Sequence, residues 1–558
     1  MENKYEGYYG IDLGTTNSII AALDKNGRPY IIPNKDGQLL TPSFIRFYKN
    51  KSGNVVYQIG QKAKDVILRP QHKDETVLFS YKTKMGQEGI KGVAGEVFGR
   101  EIRSEQCSQL SLQYLRESIE KEFPNTPIKR VVVTVPAYFE TKQKEATKQV
   151  ALKVFNSEED KRLRKFTKVD IISEPLATIL SYSEENENGF KEPKAIMVYD
   201  LGGGTFDISL ALVYNKMNLK ENTEELSYMT LDESGNKSLG GDDIDKALFY
   251  HVKKYLQTKE NVPAEVIDEH KDYITQQLEQ LKIKLCNKIK ENSSSASERV
   301  TIRINNKNSY TISISKKTFQ DLINPIINIT LENVREVMNR VNSATGEEID
   351  SLLLVGGSTK NPIVYQILKS EFPKLNILPN VADPDKAIAL GAAEMVKMLA
   401  DNKDNNIASI LTRDIGVKSY NGEIFKFFKK GTQLPCKFMQ EFTNSVKGAP
   451  ILIDIYEGNT LRYDEPGANK LGSLVLDVPP DKEVDTHSVL VTLEILKDYT
   501  TKVTTMDTLN KVKTITIKRD GLTTESDEAI SQYSEETRKD SKNLDTFKKL
   551  ELGWKNIK

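Results

Sequence analysis

Cysteine and histidine are both scarce in this 558-residue chain: three of the first (Cys107, Cys286, Cys436) and four of the second (His72, His251, His270, His487). The cysteines are odd in number and far apart, which argues against a disulfide framework and fits a reducing compartment, the cytosol by default. No histidine stands near a cysteine, so a zinc site built from the two is not expected. Net charge is lacking as well, with 79 Lys+Arg against 79 Asp+Glu. Nucleic acid and anionic membranes are therefore not expected as partners. No apolar run reaches the roughly 18 residues of a spanning helix. The opening MENKYEGYYGIDLG lacks the basic-then-apolar layout of a secretory leader. There is also no Gly-Lys dipeptide anywhere, which excludes the G-x-x-x-x-G-K-[ST] phosphate loop.

The length calls for several domains, and one pattern occurs twice. YYGIDLGTTNSIIAAL near the start and AIMVYDLGGGTFDISLAL later each run apolar strand, Asp-Leu-Gly, small residues, second strand. Asp12-Leu13-Gly14 matches Asp200-Leu201-Gly202, 188 positions on. In the later copy Phe206, Ile208, Leu210 and Leu212 alternate with polar residues, the period of a strand. Each copy reads as a β-hairpin with an acid at its entrance and a Gly/Thr tip, and the pair predicts two related halves of one α/β domain. Such tips suit a polyphosphate. Glycine and small hydroxyl residues let backbone N–H groups approach phosphate oxygens, while a carboxylate at each strand end can hold the water shell of Mg²⁺.

Two further glycine motifs follow. In SLLLVGGSTKNPIVYQIL, Leu352 to Val355 read as a buried strand, Gly356-Gly357-Ser358 as a turn, and Asn361-Pro362 as the cap and first residue of a helix. In SLGGDDIDKALFYHV, Gly240-Gly241 enter a helix with Asp242 and Asp243 at its positive end.

The segments DLGTTNS (12–18), DLGGGTFD (200–207) and LVGGS (354–358) resemble the phosphate and adenosine motifs of the actin-like ATPase superfamily. With VVVTVPAYF (131–139), IISEPLATILSY (171–182) and LGGDDID (239–245), the chain is similar to the heat shock protein 70 family of DnaK-type chaperones. The resemblance implies an actin-like, ribonuclease H-like duplicated ATPase domain over residues 1–403 and a linker over 404–413. It further implies a β-sandwich peptide-binding domain over 414–520 and a short helical lid over 521–558. The implied cofactors are ATP or ADP with Mg²⁺, and K⁺ as a further cation.

By the same resemblance Asp12, Asp200 and Glu174 would hold hydrated Mg²⁺, and Thr205 would help to position the attacking water. Lys82 would steady the γ-phosphate, with Gly14, Thr15, Thr16 and Asn17 as the first phosphate loop. Gly202, Gly203 and Gly204 would form the second, backed by Gly240 and Gly241. Glu279, Lys282 and Cys286 share one helical face and would meet ribose and base. Gly356, Gly357, Ser358, Lys360 and Asp385 would complete the nucleoside side. Val417, Tyr420, Phe442, Ile451 and Ile453 would line a groove for an extended apolar peptide. A J-domain co-chaperone and a nucleotide-exchange factor are the implied protein partners.

Some positions depart from the family. Cys286 replaces a serine, Lys360 an arginine, and Lys144 an arginine thought to relay the nucleotide state. Lysine offers no flat guanidinium to stack on a base. The C-terminal third reads as short strands, ILIDIYEG, SLVLDV, SVLVTLEIL and KTITIKR, between polar turns. The tail opens on a capping-box pattern at Thr524 and Asp527 and is shorter than the family's lid, with no Glu-Glu-Val-Asp ending. Two other readings stay open: a nucleotide-binding sensor that has lost chaperone coupling, and a small-molecule kinase of the same superfamily.

Overall fold

The computed structural model describes residues 3–517 and 553–554, apart from 52, 54, 68–74, 88, 157–165, 186–189, 191, 219–222, 237, 292–294, 305–307, 346–347, 379–382, 404–405, 420–421, 445–446, 484–485, 498 and 508–511. Tyr420 and all but two residues of the expected lid lie outside the described residues. Contacts divide the chain into two compact units, Met1–Tyr138 with Thr147–Ile407, and Phe139–Ala146 with Ala408–Lys558.

The first unit holds two large sheets of matching design. In one, the strands Lys168–Ser173, Arg130–Val135 and Tyr8–Leu13 run parallel, and Asn17–Leu23 and Pro29–Ile32 continue antiparallel. In the other, Asn376–Leu378, Ser351–Val355 and Lys194–Leu201 are parallel, followed by antiparallel Phe206–Asn218 and Thr223–Asn236. Order and direction repeat strand for strand. The two expected hairpins occupy equivalent places, with Leu13 opposite Ser18 and Leu201 opposite Phe206 at their tips. Both central strands are buried along nearly their whole length, as parallel strands covered on both faces must be.

Two helices fill the space between the sheets. Glu174–Glu185 follows directly on the Lys168–Ser173 strand, and Ala387–Ala400 crosses it. Leu176, Ala177 and Leu180 of the first pack with Ile388, Ala392 and Val396 of the second in one core. Glycine makes the crossing tight: a Cβ on Gly391 would sit 1.6 Å from the carbonyl oxygen of Ala177. Both helices start at the same end, which puts Glu174 beside the hairpin tips. The helices Gly241–Lys259, Lys271–Lys290, Lys316–Thr345 and Pro362–Glu371 cover the outer face of the second sheet. Among the described residues no helix is long and apolar enough to cross a membrane.

The second unit contains two antiparallel sheets. One has the order Ile424–Phe428, Ile415–Lys418, Ile451–Glu457, Asn469–Leu476. The other runs Val512–Ile517, Thr501–Asp507, Ser488–Ile495, Cys436–Thr443, with Gly553–Trp554 paired at its edge. Inward residues of both sheets share one core, and Ser488–Ile495 alternates half-buried and buried along its length. The sequence pattern shows only four of these strands. Ile415–Lys418, Ile424–Phe428, Cys436–Thr443, Thr501–Asp507 and Gly553–Trp554 are missed because each is too short or too irregular to show a sustained period of two. Val417, Phe442, Ile451 and Ile453, the described groove candidates, are at most 4% exposed and belong to this core. They fill the space between the sheets instead of standing open along a surface groove.

Candidate functional site

The two hairpin tips meet. A Cβ on Gly203 would fall 1.9 Å from Thr16 Oγ1, and one on Gly204 about as close to Thr15 and Thr83 as atoms can come, at 3.0 and 2.9 Å. Only glycine lets the later tip lie against the earlier one. The Thr205 carbonyl accepts from Gly202 N–H and closes the tip, and Gly202 and Gly203 in turn accept from the backbone of Gly241 and Asp242. Ser358 Oγ donates to the Gly202 carbonyl at 2.9 Å. Gly356 adopts φ +80°, and a Cβ there would reach 2.4 Å from Asp200 Oδ1. Asn361 caps the following helix, its Oδ1 accepting from Ile363 N–H at 3.0 Å, with Pro362 in the first turn.

These parts enclose a cavity of about 600 Å³. Asp12, Gly14, Thr15, Thr16 and Asn17 line it from the first half. Asp200, Gly202, Gly203 and Thr205 line it from the second, with Gly241, Gly356, Gly357 and Ser358 beside them. Glu174, Glu279, Lys282, Cys286, Lys360 and Asp385 complete the set. Three of the expected residues stand behind the wall: Gly204 and Gly240 as close-packed backbone, and Lys82 as a fully buried cation.

The end nearest the tips is dense in carboxylates. Lys82, 2% exposed, donates to Glu174 at 2.5 Å. Thr134 Oγ1 donates to Asp12 at 2.9 Å, and the backbone N–H of Tyr138 to Asp207 at 3.0 Å. Asp200 Oδ2 is buried with no hydrogen-bond partner, a costly position for a carboxylate oxygen. Burial, then the charge of Glu174, pushes Asp12 up to about 7 and Asp200 well above the usual carboxylate range. Burial, again followed by Glu174, takes Asp207 to about 7. Four acids around one ammonium call for a further cation. Among the described residues no three His, Cys, Asp or Glu side chains stand close enough to ligate a bare ion. The buried, unpartnered Asp200 Oδ2 and the carboxylates of Asp12 and Glu174, which line the cleft with it, are acceptors of the kind that a hydrated divalent cation meets through its waters.

The other end is walled by the helix Lys271–Lys290, whose face presents Glu279, Lys282 and Cys286. Lys282 donates to Asp245 at 2.9 Å. Burial pulls its ammonium down, but Asp245 outweighs burial and holds it raised, while burial takes Asp245 up to about 6. Glu279 pairs with Lys64 at 3.1 Å, and Ser80 Oγ donates to Asp242 at 2.7 Å. These two contacts join the halves across the cleft. Lys360 sits between Asp385 and Asp383, at 2.5 and 2.9 Å. Burial pushes the Cys286 thiol up to about 11, so it stays neutral.

Sequence reasoning misses Thr134, Ser80, Lys64, Asp245, Asp383 and Ile283. Thr134 had a signal, as the one polar residue inside VVVTV. Ile283 lies four residues beyond Glu279 on a helix already recognised, so helical spacing could have found it.

The Hsp70 protein family model matches residues 8–551. The chain is similar to the chaperone protein DnaK of Mycoplasma mycoides subsp. mycoides, with 27% identity over 555 residues, 99% of this chain and 86% of the relative. It is similar also to DnaK of Thermosipho melanesiensis, at 28% over 563 residues, covering 100% and 87%. DnaK of Thermosipho africanus matches at 28% over 465 residues, 82% and 71% of the two chains.

Proposed function

The chain belongs to the Hsp70 family, and from that premise we propose that it is an ATP-hydrolysing chaperone whose nucleotide state sets its grip on extended apolar peptide. On this reading the paired sheets form a duplicated, actin-like ATPase domain, and the two antiparallel sheets form a peptide-binding β-sandwich. The observation that carries the proposal is the meeting of two Asp-Leu-Gly tips over one cleft, with the Lys82–Glu174 pair at their base.

Within the cleft each group has a part. The Gly14–Asn17 and Gly202–Thr205 tips offer backbone N–H groups and hydroxyls to the β- and γ-phosphates. Asp12, Asp200 and Glu174 hold the waters of Mg²⁺, which when bound neutralises phosphate charge. Lys82, fixed by Glu174, places a positive charge where negative charge develops on the γ-phosphoryl group. Thr205 and Asp200 orient the attacking water. Glu279, Lys282, Cys286 and Asp385 meet the nucleoside. Phosphoryl transfer to water needs positioning and charge more than covalent help, and these groups provide both.

Asp12 and Asp207 titrate near neutrality, which gives binding a pH dependence of definite sign. Their raised values mean that the charged forms prevail above pH 7 and the neutral forms below. A divalent cation is attracted to the charged forms, so its uptake releases protons. Mg-nucleotide affinity therefore rises with pH through this window.

In the second unit, peptide capture requires Val417, Phe442, Ile451 and Ile453 to become accessible, because all four are buried. Extended peptide would add backbone hydrogen bonds and fill an apolar pocket. A J-domain protein and a nucleotide-exchange factor are proposed partners on family grounds alone. The test is release of a labelled apolar peptide from the full chain. Release about tenfold faster with ATP than with ADP is expected, a coupling of ordinary size. Equal rates would remove the chaperone cycle.

A further inference from the structure

A separate cavity of the N-terminal unit, of about 490 Å³, lies at the opposite end of the first sheet from the hairpin tips. It forms where three parallel strands begin, with Tyr8, Arg130 and Lys168 side by side in register. Asp12 stands near the far end of the first of these strands, about 13 Å away at 3.3 Å per residue. No residue lines both cavities.

The charge of the lining is one-sided. Lys129, Arg130 and Lys168 bring cations, and among the described residues no carboxylate lines the cavity. Arg130 is paired with Asp170 at 2.7 Å. Lys129 and Lys168 are exposed and make no ion pair among the described residues; Lys129 reaches only the Tyr8 ring, at 5.9 Å. The backbone fixes the two lysines as neighbours, Lys168 N–H donating to the Lys129 carbonyl at 2.9 Å. Asp401, just beyond the cavity, is taken by Lys4 and Tyr5. Two neighbouring ammonium groups repel each other until an anion lies between them. Beside them Phe166 is 69% exposed, and its ring gains free energy from being covered. A further wall is Leu399 and Ala400, in the last turn of the helix Ala387–Ala400. A helix end leaves carbonyls in want of donors and carries partial negative charge.

These features together select one class of ligand. Phosphodiester groups would bring acceptors to the lysines but no donor to the helix end, whose partial charge repels them. An acidic peptide brings carboxylates to Lys129 and Lys168 and backbone N–H groups to the carbonyls, and an aromatic residue in it covers Phe166. We propose that this cleft is a docking site for an acidic peptide segment carrying an aromatic residue, a ligand chemically unlike the apolar peptide proposed for the second unit.

Fluorescence anisotropy on the full chain without nucleotide tests it, with fluorescein-labelled Gly-Glu-Asp-Phe-Asp-Glu-Gly as the probe. Saturable binding is expected, weakening as salt rises from about 0.05 to 0.5 M. Lys129→Glu combined with Lys168→Glu should weaken it by about tenfold or more, because attraction becomes repulsion. Phe166→Ala should weaken it by about tenfold. All three side chains are exposed, so the unfolding midpoints should not move. An unlabelled heptapeptide of leucine and valine should not displace the probe. Absence of saturable binding, or equal binding by the charge-reversed variant, overturns the proposal. So does displacement by the apolar peptide, which would put the probe elsewhere. A seven-nucleotide oligothymidylate that binds as tightly as the peptide would reassign the cleft to nucleic acid. Each of these outcomes leaves the nucleotide reading standing.

Discussion

Lys82→Ala is expected to bind Mg-ATP yet cleave it more slowly by a factor on the order of 10² to 10³, the loss seen when one preorganised group that stabilises transition-state charge is removed. Lys82 is buried, its ammonium fixed at 2.5 Å from Glu174 beside Asp12 and Asp200. The tip residues that line the cleft stay in place, so binding is expected to survive while the chemical step loses its fixed positive charge. The substitution also leaves Glu174 without its partner. Removing one member of a buried ion pair destabilises by about 3–5 kcal/mol. Single-turnover hydrolysis measured alongside the unfolding midpoint separates the two effects. A folded variant that hydrolyses ATP at the wild-type rate would remove Lys82 from the mechanism.

Gly391→Ala is expected to destabilise the N-terminal unit by about 3 kcal/mol, at the upper end of ordinary overpacking. Intrinsic helix propensity points the other way, since alanine in a helix interior is favoured over glycine by about 1 kcal/mol. Sterics decide the sign. The new Cβ would stand 1.6 Å from the Ala177 carbonyl oxygen and 2.3 Å from its carbon, and backbone atoms cannot rotate aside. To relieve the clash the helices must separate, and one of them carries Glu174 at its first residue. Hydrolysis should therefore fall along with stability. Urea denaturation of the variant checks the claim, and an unchanged or raised midpoint would show that the crossing is looser than described.

Repetition made the site legible in the sequence. Asp12-Leu-Gly and Asp200-Leu-Gly are local patterns, and two copies imply two equivalent hairpins before any contact is known. Asn361-Pro362 as a helix start, and Glu279, Lys282 and Cys286 on one face, are likewise local facts. Groups supplied from distant segments were not legible. Asp245 meets Lys282 from another helix, Asp383 meets Lys360 from beyond the helix Pro362–Glu371 and the strand Asn376–Leu378, and Ser80 reaches Asp242 from 162 positions away. No spacing rule encodes such encounters. In the second unit, Thr501–Asp507 alternates small polar and apolar residues too weakly to stand out, and its strand pairing comes from the neighbour Ser488–Ile495. The groove candidates show a further limit: alternation reveals that Ile451 and Ile453 point inward, while whether inward means core or ligand depends on what the opposite sheet brings.

The central claim is that two hairpin tips and their acids close on one magnesium-bound triphosphate. Calorimetric titration of the full chain with Mg-ATP at pH 8 and pH 6 tests it most directly. The account predicts uptake at a single site per chain, about tenfold weaker at pH 6 because an acid near pH 7 is then largely protonated. No uptake at either pH would contradict it.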